Sequence, residues 1–364
     1  MSVPNRKITP IQLFSVLFLS RLFASMTYIA GLDRDLQPGE TVVAMLYSSA
    51  FIVISGVGEA VFLKNDSGVG ILMRTKSVSN KFFVFTDVFY LVFFLAYCAL
   101  AAARFNLFVN SIIFPDSDMS WFVLPVIAGC ACVAYKGLES VLRSSALFTF
   151  IVVLSLVFVF STAASKFDIL NFRGVRPGKG TEMLESGFMS AVRTAEIASI
   201  PILTPFLNSS PVKPMFKWTG VTAASLILIS SLVSGVLGQF GYEQIFPMYS
   251  LTVLAEFGVL ERLDAIITAV WVLCFIAKMS YFLFVNSYLL NELTKIKRKY
   301  SPFVCAVPVG IGAMLMSKNI DILADVIKSG FLTVLFIGGG IVIPITVVII
   351  EKIQKNKNKA ETVQ

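Results

Sequence analysis

GFMSAVRTAEIASIPILTPFL, residues 187–207, is the stretch whose reading decides the fold. It has the ~20-residue length that a bilayer-crossing helix needs. It nevertheless carries Arg193 and Glu196 mid-way and Pro201 and Pro205 near its end. Each proline removes a backbone donor and clashes with the carbonyl four residues back, here those of Ile197 and Pro201. Carbonyls freed in hydrocarbon persist only where protein covers them or a cavity lines them. A charged residue inside a span marks a functional site by default. The stretch therefore reads as a broken helix at the centre of a transporter-like bundle. The plainer alternative is a kinked helix whose Arg193–Glu196 pair, at i and i+3, serves packing only.

Composition sets the class around it. The chain has 364 residues, 56% hydrophobic and 14% charged, with a mean hydropathy of +0.82. Soluble domains run at about 25% charged, so this is a polytopic membrane protein. It contains no histidine, which removes Ser-His-Asp, Cys-His and His-metal chemistry together. Cys98, Cys130, Cys132, Cys274 and Cys305 all sit in apolar runs. Cys130 and Cys132, at i and i+2 on a helix, face apart. No disulfide, metal or cofactor is expected. The net charge of +8 comes from loops rather than from a nucleic-acid-binding patch, and no catalytic pairing suggests an enzyme.

Apolar length predicts about ten transmembrane helices, at 9–31, 41–63, 82–104, 121–138, 145–165, 187–207, 217–238, 264–290, 301–317 and 329–350. Lys and Arg are about twice as frequent on the side that holds Arg6, Lys7 and the lysine-rich end, which places both termini in the cytoplasm. Arg104 falls in an outer loop, 64–81 reads as a basic inner loop, and the basic stretch 166–180 is the exception to the bias. The polar interruption 166–186 splits the chain into a first repeat, 1–165, and a second, 187–352, followed by a polar tail, 353–364. Each half opens with a span interrupted by arginine and small polar residues. Paired interrupted spans point to an inverted repeat with the site between them.

The first span starts at Thr9-Pro10, with proline suited to the first helical turn. Ser20, Arg21, Ala24, Ser25 and Thr27 then interrupt it. Arg21 should face the bundle interior, with Glu59, Asp87 or Glu196 as its partner. Tyr90 and Tyr97 share a face of the third span. Glu139 and Arg143 form a favourable i, i+4 pair. The stretch 239–262 reads as an amphipathic helix on the outer face. Asp264 begins the eighth span, and Lys278 lies near its middle.

The opening ITPIQLF, the run FLSRLFASMTYI, the proline-rich close of span six followed by KPMFKW, the stretch IFPMYSLTV and the entry ERLDAIITAVWVL together resemble the spore germination permease family. These are germinant receptor B subunits within the amino acid–polyamine–organocation superfamily. The resemblance covers nearly the whole chain, and ERLDA with its downstream tryptophan is its most specific part. It implies an all-α, LeuT-like fold of two inverted five-helix repeats with helices 1 and 6 broken. It implies a small germinant, an amino acid, bound at Phe23, Ala24, Ser25, Met26, Glu196, Ile197, Ala198, Ser199 and Ile200. Family members often carry glycine at the first break, where this chain has Leu22-Phe23-Ala24. Other receptor subunits are the implied partners, and the cell or spore inner membrane is the implied location. Arg21, Arg193, Glu196 and Lys278 form the expected charge network, with Lys278 either standing in for a coupling cation or neutralising a carboxylate. Sensing without transport and working amino-acid or amine transport, with proton coupling through Glu196 or Lys278, both fit this reading.

Overall fold

The structure, a computed structural model, describes residues 8–27, 36–64, 68–115, 120–172, 174–254, 264–294, 296–318 and 320–362. Among these residues every regular element is helical except one isolated bridge, Ile8 with Leu207. The helices are α1 Pro10–Met26, α2 Pro38–Lys64, α3 Ile71–Val78, α4 Asn80–Phe108, α5 Val123–Tyr135, α6 Leu138–Ala163, α7 Gly180–Val192 and α8 Ile200–Leu203. They continue as α9 Val212–Leu237, α10 Phe240–Glu243, α11 Pro247–Leu254, α12 Asp264–Leu293, α13 Ser301–Met316, α14 Ile320–Lys328, α15 Gly330–Ile337 and α16 Ile343–Thr362.

By length and composition, six helical stretches can each cross a membrane alone, and α13 with α14 would make a seventh. The helices α1 and α5 are apolar but shorter, and the pieces from α7 to α8 form the broken crossing. Together these account for the ten apolar segments that the sequence marks out. Lipid offers helices no hydrophobic reason to associate, so close packing and interhelical hydrogen bonds hold such a bundle together. The centre is α12, which packs on α1, α4, α5, α6 and α13, while α2 packs on α7 and α9. Gly187 of α7 permits that last approach: a Cβ there would lie 2.8 Å from Tyr47 Cβ. By contrast, α6 turns Leu147, Phe150, Leu154 and Val157 outward, as a lipid-facing helix does.

Thr9 caps α1 through a reciprocal capping box with Gln12, and Pro10 occupies its first turn. The helix then runs without interruption to Met26 and the chain leaves it at Thr27. Of the residues expected to interrupt the span, Ser20, Arg21, Ala24 and Ser25 lie within the helix, which ends at Thr27, short of the expected span end at 31; residues 28–35 lie outside the described residues. The polar residues are absorbed instead. Ser25 Oγ donates to the Arg21 carbonyl at 3.1 Å, and Thr27 Oγ1 to that of Phe23 at 2.7 Å. Such back-bonding satisfies hydroxyls while leaving the helix intact.

The stretch 187–207 breaks as expected. It comprises the end of α7, the non-helical Thr194 (φ −94°, ψ 65°), a 3-10 turn at Ala195–Ser199, the single turn α8, and a second 3-10 turn at Thr204–Phe206. The carbonyls freed by its prolines are taken up locally. Ile197 accepts from the Ile200 amide, and Pro201 accepts from Thr204 Oγ1 at 3.3 Å. Its far end meets the start of α1, where the Ile8 amide donates to Phe206 and the Asn208 amide to Ile8.

Three boundaries differ from the sequence reading. The expected inner loop 64–81 contains α3, whose buried Arg74 pairs with Glu351. Arg104 is not in a loop: α4 continues past it to Phe108 and a π turn follows, leaving the side chain 3% exposed. The amphipathic stretch 239–262 is divided into α10 and α11, and its residues 255–262 lie outside the described residues, as do Glu261 to Leu263 of the ERLDA motif.

Candidate ligand-binding site

Lys278 reaches from α12 to the place where α1 passes the broken crossing. Its Nζ donates to Glu196 Oε1 at 2.6 Å and to the Ser20 carbonyl at 3.2 Å. Ser20 Oγ donates to the same Glu196 oxygen at 2.6 Å. All three residues are buried, so the pair is held by hydrogen bonds from both flanking elements, the condition under which a buried ion pair is tolerated. The ammonium also lies 4.9 Å from the centroid of the Phe282 ring, within cation–π range. Of the three carboxylates considered for Arg21, Glu196 is the one in Coulombic reach, yet its ion-pair contact goes to Lys278.

Tyrosines brace the break. Tyr97 Oη donates to the Val192 carbonyl at 2.5 Å, where α7 ends. Tyr281 Oη and Ser199 Oγ lie 2.5 Å apart, and Ser199 Oγ also donates to the Glu196 carbonyl. Arg193 follows directly, with Nε donating to Met189 O at 3.2 Å.

Two cavities flank this knot and share Ala24 and Arg193. The larger, about 50 Å³, is lined by Arg21, Ser25, Ser190, Tyr242 and Met248 among others. The smaller, about 10 Å³ and so closed down to roughly the size of one water, is lined by Phe23, Tyr97, Arg104 and Lys278 with Leu100 and Ala101. Phe23, which lines the smaller one, belongs to an aromatic cluster. Phe23 lies 5.5 Å from Phe275 and 6.4 Å from Trp271 by ring centroids, and Trp271 lies 5.3 Å from Phe246 beside α11. A third groove of about 910 Å³ lies at the N-terminal end of α1, between Lys64, Lys213 and Lys217. It is larger but far from the buried charges, so the flanking cavities are the better candidate.

Of the residues expected to bind ligand, Phe23, Ala24 and Ser25 line a cavity, as do Arg21, Arg193 and Lys278 of the charge network. Glu196 is engaged by Lys278 and Ser20. Met26, Ile197, Ala198, Ser199 and Ile200 are buried and line neither cavity; Ile197 packs toward Gly56 and Gly340. Sequence reasoning missed Arg104, Tyr97 as a brace, and α11 as a wall. The run Ala-Ala-Ala-Arg at 101–104 was the available signal, since nothing in it ends a helix.

With this geometry in place the relatives become informative. The family model described as spore germination protein matches residues 7–323. The chain belongs to that family. No curated protein matches it. Forty-six solved chains do. Among them is a Na⁺-coupled sialic acid symporter in a substrate-bound, outward-open state, with 13% identity over 91% of this chain and 78% of that one, at a TM-score of 0.59. At that identity the likeness shows the fold, which is LeuT-like. This spore germination family member is thus a multi-pass, permease-like integral membrane protein.

Proposed function

We propose that the protein is the permease-like subunit of a spore germinant receptor. It binds a small germinant, an amino acid in the first instance, at mid-membrane between α1 and the broken crossing, and it passes that event to partner subunits. The observation that carries this reading is Lys278, bonded at once to Glu196 of the broken crossing and Ser20 of α1. A ligand entering the adjoining cavities would perturb both elements through this knot. Unwound backbone and half-helix ends at mid-membrane are where LeuT-like proteins hold charged ligands. The two sequence halves, 1–165 and 187–352, fit the inverted repeats of that fold. Both termini belong on the cytoplasmic side of the spore inner membrane or the cell membrane. Lys278 serves as a built-in cation, so binding does not need sodium.

The test is ligand-induced stabilisation of the purified full-length chain in detergent, screened with amino acids. At least one should raise the unfolding midpoint, by an equal amount in sodium and in choline chloride, and Lys278→Met should abolish the response. An inert chain across the screen, or a response that requires sodium, would contradict the proposal. Uptake of the active compound by proteoliposomes carrying the chain alone would favour the transporter reading over pure sensing.

A further inference from the structure

This inference rests on the ligand site just proposed and concerns the charge of what enters it. Lys278 and Glu196 satisfy each other. Arg21 and Arg104 have no such counterpart: among the described residues, neither has a carboxylate within ion-pair distance. Arg21 gives Nη2 to the Ser190 carbonyl at 3.3 Å and leaves Nε without a partner. Arg104, 3% exposed, leaves both Nε and Nη2 without one. The two guanidiniums lie within Coulombic range of each other and of Arg193, and like charges in a low-dielectric interior repel strongly. Packing alone gives no reason for arginine here. The neighbours Phe23, Leu100 and Ala101 are apolar, and a methionine would fill the same space without the desolvation cost of a charge.

The free atoms of Arg104 are also informative. Nε and Nη2 form the side-on edge of the guanidinium, the fork that takes the two oxygens of a carboxylate. That side chain lines the smaller cavity, beside Tyr97 and Arg193. Glu196 Oε1 is already shared by Lys278 and Ser20, and Glu196 lines neither cavity, so its charge is spent on Lys278 rather than offered to the solute. We infer that the site takes a small solute of net negative charge, with a carboxylate seated on the free edge of Arg104 and Arg21 completing the positive wall. An acidic amino acid and a simple dicarboxylate both satisfy this description; a neutral amino acid leaves the second arginine uncompensated.

The experiment compares unfolding midpoints of the purified full-length chain with L-aspartate, L-asparagine, L-malate and inorganic phosphate at fixed ionic strength. L-Aspartate and L-asparagine share a shape and differ by one charge. Aspartate and malate should stabilise the chain, and asparagine should bind at least about tenfold more weakly, the scale of a charged hydrogen bond. Arg104→Met should raise or preserve the ligand-free midpoint while abolishing the anion shift, and Arg104→Lys should keep part of it. Asparagine equal to aspartate, an anion shift that survives Arg104→Met, or a response to phosphate alone would each overturn the inference. The wild-type comparison stands even if a variant does not fold. Binding of neutral amino acids without preference for anions would sink this inference and leave the proposed function standing; silence from every solute would sink both.

Discussion

The first crossing and 187–207 carry similar side chains, an arginine among small hydroxyl residues, yet α1 runs helically through its arginine and serines from Pro10 to Met26 and leaves helical geometry only at Thr27, whereas 187–207 is in pieces. The difference lies in the backbone. Ser25 in α1 donates to a carbonyl one turn back and costs the helix little, and Thr27 does the same where the helix ends. Pro201 and Pro205 remove two amide donors and cannot be absorbed in that way. Polar residues in a span thus announce a site, whereas prolines announce a break. Glu196 sits in the broken piece, where a 3-10 turn re-aims it at α12, and Ser20 sits within helical α1, where its carbonyl and hydroxyl are both already in place.

If the two crossings differ as described, substitutions should rank accordingly. The largest effect belongs to the residue that joins them. Lys278→Met leaves Glu196 buried without its cation, a loss on the order of 3–5 kcal/mol, read as a lower unfolding midpoint and as release of the α1 contact to the broken crossing. Next comes the support of the broken piece. Gly70 (φ +80°) abuts it, and a Cβ there would sit 2.7 Å from the Pro205 ring. Gly70→Ala should cost about 1–3 kcal/mol from the glycine-only backbone (φ 80°, ψ 161°) alone, with the contact adding more in denaturant or thermal unfolding. Thr9→Ala, which removes the cap of α1, should cost about 1 kcal/mol in the same assay without altering any ligand response. Smallest of the four, Ser25→Ala should change stability by less than about 0.5 kcal/mol, because its hydroxyl serves only its own helix. A Ser25→Ala loss as large as that of Gly70→Ala would show that α1 is not the rigid partner.

Much of this was legible in the sequence, for identifiable reasons. Ten apolar stretches and two closely spaced prolines are strong local signals, and they gave the helical membrane fold and the broken crossing. Lys278 stood out because a lysine in the middle of an apolar run has few other readings. The choice of Glu196 over Glu59 and Asp87 as the central carboxylate could not be read, because it depends on how α1, α12 and the break meet. Arg104 was misplaced because a bilayer-length rule ends the third span there, whereas α4 and its π turn run on to Ile113. The helix α3 was hidden by its polarity, since a short helix held by Arg74 and Glu351 shows no apolar run.

The central claim is that Lys278 and Glu196 act as one unit between α1 and the broken crossing. A double-mutant cycle on unfolding, with Lys278→Met, Glu196→Gln and both together, tests it most directly. The account predicts strong coupling, with the double variant more stable than the sum of the single losses by at least about 2 kcal/mol. Losses that simply add would contradict it.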